Sequence, residues 1–457
     1  MKTHFNILFC FLSITSFLWG QNFDANWIGH FSYLNIKKVV NADTKFYAAS
    51  ENALFSYDLQ TNQLSTITTI NGLSGELIST LHYSNEYQLL MIGYENGLIE
   101  VYSENDQEVL KVVDIVNKVT IPSSQKKINH FNELNSLVYI ATDYGISVYN
   151  LESLEFGDSY YIGANGSQIQ VSQTAIFNNE IYAACGSNSG IKKASLSNSN
   201  LTDFQLWSSL GSGDFKAVTV FDSGLYTVNS ANTLFEINGT TLTLLSNYSQ
   251  PVAELNTSNN SLLVTTNSKV YEYELGFTLT NTYSTNPDFD TNFNAALKID
   301  AVVYIGTTDY GVLKSNPLDP SGFDEIHPLG PLKNTVFSLS HGYGNLWVSY
   351  GDYSIGFNPY PLRYYGISNY ENSEWVNTSY DSIRDTTGAP VSSLNRISIN
   401  TFNPNQVYIS SYHHGLLDFK KGESITLLDD SNSSLESLVI PDNPNYKSIR
   451  ISGSTFD

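Results

Sequence analysis

An apolar triplet centred on an aromatic or bulky residue recurs nine times, and no other feature limits the fold as tightly. It reads Phe46-Tyr47-Ala48, Leu90-Met91-Ile92, Val138-Tyr139-Ile140, Ile181-Tyr182-Ala183, Leu225-Tyr226-Thr227, Leu262-Leu263-Val264, Val303-Tyr304-Ile305, Leu346-Trp347-Val348 and Val407-Tyr408-Ile409. The centres stand at 47, 91, 139, 182, 226, 263, 304, 347 and 408. Intervals run from 37 to 48 residues through the eighth copy and reach 61 at the ninth. A second run of strand-like alternation follows many triplets, as in Gly97-Leu98-Ile99-Glu100-Val101-Tyr102. Helical solenoids have similar periods but need apolar spacing of three and four, not two. One hairpin cannot bury its face in water, so evenly spaced hairpins must stack or close on one another. A period of about 40–50 residues, with chain enough for four strands, is that of an all-β propeller.

Composition agrees and marks a boundary. Tyr (31) and Phe (24) are abundant, and charged residues reach only 14%, against about 25% in ordinary globular chains. The net charge of −22 argues against a general nucleic-acid binder, because phosphate backbones need a positive face. Only Pro122, Pro251 and Pro287 precede residue 317; Pro317, Pro320, Pro328 and Pro331 then crowd together, and all four arginines (Arg363, Arg384, Arg396, Arg450) lie beyond. Seven hairpins precede that segment. The expected organisation is a seven-bladed β-propeller over residues 21–330 and the start of a second β-propeller over 331–457. Two hairpins cannot close a ring, and an outgoing strand is expected over Tyr446–Ile451, so the chain reads as part of a longer protein.

Residues 1–20 read as a cleaved signal peptide. Lys2 and His4 lead into a mostly apolar run from Phe5 to Trp19, too short to span a bilayer. Cys10 lies mid-run, the wrong place for lipidation. Cys185 is then the one remaining thiol, and the alternation places it on the opposite face from Tyr182, packed between blades.

No catalytic constellation, metal site or cofactor motif is expected, and the chain reads as no enzyme. A sialidase-like centre needs an arginine cluster, which the first propeller cannot supply. Ser340-His341-Gly342-Tyr343-Gly344-Asn345-Leu346-Trp347 resembles an Asp-box turn, with Gly in place of the Asp. His413-His414, if in a strand, would point to opposite faces and could not share a metal; a turn or surface pair is the expectation. Asp288, Asp290, Asn292 and Asn294 alternate like a calcium loop, but Phe293 replaces the turn glycine and Ile299 the bidentate glutamate. The dilysines Lys37-Lys38, Lys126-Lys127, Lys192-Lys193 and Lys420-Lys421 read as edge-strand guards, with contact to glycan phosphates as the alternative.

Two resemblances complete the reading. Asn71-Gly72-Leu73-Ser74, Ile140-Ala141-Thr142-Asp143-Tyr144-Gly145-Ile146 and Ile305-Gly306-Thr307-Thr308-Asp309-Tyr310-Gly311-Val312 resemble the regulator-type propeller repeat. An export signal leads into Trp27-Ile28-Gly29-His30-Phe31-Ser32-Tyr33, and Gly330-Pro331-Leu332-Lys333-Asn334 opens the second unit. This order resembles the PorZ family of surface components of the type IX secretion system in Gram-negative bacteria. The resemblance implies an exported, outer-membrane-associated, non-catalytic subunit of the attachment complex. Its implied partners are a PorU-like sortase, PorV, PorQ and anionic lipopolysaccharide. The alternative is the periplasmic glycan-sensing double propeller of a hybrid two-component regulator.

Overall fold

All nine triplets lie on the second strand of a four-stranded antiparallel sheet, from Lys45–Ala49 in the first to Gln406–Ser411 in the ninth. The computed structural model describes residues 27–456 apart from Pro444, so the expected export segment lies outside it. Each sheet is a meander with its strands in chain order. Packing explains why the triplets are continuous apolar runs. In Leu89–Tyr94, Leu90, Ile92 and Tyr94 meet the first sheet while Met91 meets the third. In Glu180–Cys185, Ile181, Ala183 and Cys185 face the third sheet, and Tyr182 and Ala184 face the fifth. A strand covered on both faces has no polar side to show. Both conclusions from the sequence, the all-β class and Cys185 opposite Tyr182, follow from this packing.

Short turns fix the register. Asn178-Asn179, Asp222-Ser223 and Asn259-Asn260 hold positive φ at both positions and join first to second strands. Such turns match the twist of the strands they connect, and Asn and Asp tolerate them best. Between second and third strands a hydroxyl does the work. Thr142 Oγ1 donates to Gly145 O at 2.9 Å, and Thr307 Oγ1 donates to Gly311 O at 3.0 Å while accepting from Tyr310 N at 2.9 Å. Gly145 has φ 146°, and a Cβ there would lie 2.3 Å from Tyr160 O.

Seven sheets lie between Lys38 and Ile326. Their apolar side chains form seven clusters, one for each neighbouring pair of sheets, the seventh against the first included. In that last cluster Phe46 and Phe55 pack with Leu297, Tyr304 and Val312. Polar side chains tie the innermost strands together. Asn132 Nδ2 donates to Thr174 O (2.7 Å), Asn256 Nδ2 to Ala296 O (3.1 Å), and Asn294 Nδ2 to Ile36 O (2.9 Å). Each caps a backbone acceptor on the open edge of the next inner strand, or just ahead of it at Ile36, which would otherwise lack a partner.

Two further sheets, Ser338–Thr378 and Leu394–Leu428, pack through Trp347, Ile367, Leu394, Ile409 and Leu417. Between them runs the one α-helix among the described residues, Tyr380–Thr387. Ser379 Oγ accepts from Ser382 N at its start, Gly388 adopts φ 68° at its end, and its own Ile383 is buried. The segment around His30–Tyr33 bridges this group to the first seven sheets. Ser32 N donates to Asn334 Oδ1 at 2.7 Å, and Trp375 Nε1 donates to His30 Nδ1 at 3.2 Å.

The strand expected over Tyr446–Ile451 does not form. Its backbone groups are taken up singly: Ile449 N donates to His413 O at 2.8 Å, and Ile451 N to Ser411 O at 3.0 Å. Asn395 Nδ2 donates to Ile451 O at 3.0 Å, the bond that Asn132 and Asn256 make between inner strands. This segment thus occupies the place of a neighbouring inner strand.

Candidate functional site in the central channel

The first strands of the seven sheets face a common axis, and their side chains line two cavities of about 230 Å³ each. Strand alternation sends every second residue toward this axis, and here those residues are polar. Lys38, on the first sheet, reaches Glu254 on the sixth in an ion pair, and the other Glu254 oxygen accepts from Ala296 N at 2.8 Å. His82 Nε2 lies 2.6 Å from Glu133 Oε2, and Ser84 Oγ donates to Glu133 Oε1 at 2.8 Å. Burial, the largest influence on Glu133, would raise its pKa, but the bonds from His82 and Ser84 outweigh it and hold the carboxyl below its ordinary value. His130 lies between the two cavities with Nδ1 buried and unpartnered. Burial, then the Lys38 and His82 charges, pushes its imidazole well below the ordinary range, so it is neutral at pH 7.

This geometry limits the chemistry. Gln173 Nε2, on the fourth sheet, donates past the fifth to Leu255 O on the sixth at 3.4 Å, and with the Lys38–Glu254 pair it divides the space. Each cavity is smaller than the roughly 300 Å³ at which small-molecule sites begin. Ser84 and His82 both bond to Glu133 and not to each other, so the hydroxyl–imidazole–carboxylate order of an activated nucleophile is not assembled.

The residues singled out in the sequence do not converge on the channel. His413 and His414 sit in the turn after Gln406–Ser411, not in a strand, with ring centroids 4.5 Å apart. His414 Nδ1 accepts from Ser392 N at 3.2 Å; burial, then His413, pushes His414 down to about 4. Asn294 belongs to the inner strand Phe293–Ile299 and bonds Ile36 just ahead of the first sheet, while Phe293 is fully buried. Among the described residues no three His, Cys, Asp or Glu side chains are placed to hold a metal ion. The dilysines are not guards of outer strands. Lys127 pairs with Glu95 (2.8 Å), Lys193 with Glu180 (3.0 Å), Lys421 with Glu371, and Lys126 is buried with Nζ donating to Val116 O at 2.6 Å. They stand on separate sheets and form no common basic patch. The Asp-box-like segment is a hairpin whose turn residues, Tyr343 and Gly344, have φ 54° and 76°. Cys185 is fully buried among Val171, Ile181 and Trp207, and burial pushes its thiol up to about 12.

The channel residues escape sequence reading because they come from strands far apart in the chain. Their signal is a charged or imidazole side chain inside an apolar run, as in Leu81-His82-Tyr83.

Radially neighbouring four-stranded meanders around a common axis define the β-propeller class. Within that class, residues 46–208 match the family model described as the type IX secretion system PorZ N-terminal beta-propeller domain. The structure of PorZ from Porphyromonas gingivalis, described as an essential bacterial surface component of the type-IX secretion system, matches with a TM-score of 0.79 at 16% identity. The match covers 94% of this chain and 56% of that one. The extracellular domain assigned to the hybrid two component system BT3049 of B. thetaiotaomicron matches with a TM-score of 0.48 at 14% identity, covering 89% and 55%. No curated protein matches the chain. The resemblance to PorZ drawn from the sequence is thus met by both a family model and a fold, and the chain spans about half (56%) of the PorZ chain.

Proposed function

We propose that this chain is part of a non-catalytic surface component of a type IX secretion system, acting by binding and positioning. The observation that carries the reading is the family-model match over residues 46–208. The divided channel supports it, since binding then falls to the outer faces and loops. Its partners are a PorU-like sortase, PorV and PorQ, and its ligand is anionic lipopolysaccharide, held so that exported cargo is cleaved and anchored. Residues 21–330 act as one closed seven-bladed unit and 331–457 as part of a second. No helix among the described residues is long and apolar enough to cross a membrane.

Deletion of the gene tests the reading. Cargo proteins are expected to keep their C-terminal signals and to be lost from the cell surface, and complementation restores both. Normal cargo attachment in the deletion strain, with loss of a glycan-induced transcriptional response, overturns it in favour of a sensor.

A further inference from the structure

At the end of the eighth and ninth sheets where second strands give way to loops, aromatic side chains gather around one arginine. Phe357 and Tyr360 are 59% and 48% exposed. The Tyr353 ring stacks on Phe357 at 5.7 Å and lies 4.3 Å from Tyr412, which supports it from below. Tyr360 Oη meets His413 Nε2 at 3.2 Å and Tyr446 Oη at 3.1 Å. His413 Nδ1 is buried without a partner. Arg450 is exposed, lies 5.9 Å from the Tyr412 ring centroid, and donates to Ser448 Oγ and Phe357 O at 3.2 and 3.4 Å. Arg363 and Arg384 pair with aspartates, but Arg450 pairs with no carboxylate among the described residues.

We infer that Tyr353, Phe357, Tyr360, His413, Tyr446 and Arg450 form a binding platform for an acidic saccharide. Exposed ring faces suit the C–H faces of a pyranose, and phenols and imidazole suit its hydroxyls. A guanidinium without a carboxylate offers a fork to a sugar carboxylate or phosphate. The charge of Arg450 is opposite in sign to that of the chain as a whole, which carries −22. Burial, and after it the Arg450 charge, holds the His413 imidazole below its ordinary value, leaving it neutral at pH 7. A neutral imidazole meets Tyr360 Oη through Nε2 and adds no second charge to the platform. This inference rests on the lipopolysaccharide reading for its natural occupant and gives that ligand a place on the molecule.

Calorimetric titration of the full chain with trigalacturonate and with neutral maltotriose tests it. Trigalacturonate is expected to bind about tenfold more tightly, and Arg450→Gln to remove that preference while sparing maltotriose. Phe357→Ser is expected to weaken both sugars. Lys192→Gln, on a distant sheet, leaves both unchanged, and unaltered melting temperatures show that all variants fold. Equal binding of the two sugars, binding indifferent to both platform variants, or no binding at all overturns the platform. Self-association through the exposed rings, seen by sedimentation without saccharide heat, overturns it too. Lipopolysaccharide capture that persists in both variants overturns the platform and leaves the proposed function standing. Failure of the wild-type chain to capture lipopolysaccharide while it binds trigalacturonate does the reverse.

Discussion

Glu272 is 1% exposed, and four groups keep it charged. Lys298 Nζ lies 2.5 Å from Oε1, Ser261 Oγ donates to Oε1 at 3.2 Å, and Asn281 Nδ2 and Tyr283 Oη donate to Oε2 at 2.9 and 3.0 Å. Burial pushes this carboxyl upward most strongly, but the combined bonds and the Lys298 charge leave it below 4.5. A depressed folded-state value means stabilisation that is fully present above 4.5 and is lost as pH falls through the lower folded value. Urea unfolding is therefore expected to show a loss of stability below pH 4.5 that Glu272→Gln flattens. Lys298→Met strands the carboxylate and is expected to cost about 3 kcal/mol at pH 7. None of this was legible beforehand. Val270-Tyr271-Glu272-Tyr273 alternates like any strand, and nothing along the chain announces that Lys298, on the next sheet, closes over it. Cys185 was legible because its environment follows from alternation alone.

At the scale of strands and turns, visibility in the sequence follows burial. Second strands stood out because both faces are covered. First strands turn polar side chains to the channel, and fourth strands such as Leu64–Ile67 and Thr241–Asn247 are largely exposed, so neither carries an apolar signature. The segment 446–451 has strand composition, but its amides bond singly to His413 O and Ser411 O, and composition cannot report that. The repeated Thr-x-x-x-Gly or Thr-x-x-Gly turn is the motif whose physical sense is clearest. The hydroxyl bridges the turn, and the glycine permits a carbonyl to pass where a Cβ would clash, as at Gly145. Thr307→Val keeps the shape but leaves Tyr310 N and Gly311 O without this partner. It is expected to lower stability by about 1–2 kcal/mol, measured by urea unfolding, with little change in circular dichroism.

On the scale of the molecule, the two ends of the seven-sheet set are joined by a few bonds of very long range. Asn294 Nδ2 reaches Ile36 O, Ile36 N donates to Thr307 O at 2.8 Å, and Gly311 N donates to Leu34 O at 2.8 Å. Asn132 makes the same side-chain bond between two consecutive sheets. Asn294→Ala and Asn132→Ala are each expected to cost about 1 kcal/mol. Hydrogen exchange separates them: only the first should speed exchange at the Ile36 amide. Equal protection of Ile36 in both variants would mean that the apolar cluster around Phe46 and Tyr304 holds this seam by itself. The seam also orders events in time. Its partners are 258 residues apart, so the first sheet is made long before the sheet that will cover its outer face. Closing so long a loop comes late and slowly. Until then Phe46 and Phe55 lack their cover, and the chain is open to pairing with other chains. The interval between the first sheet and the seventh, more than the stability of either, sets the period in which a holding factor is useful to this protein.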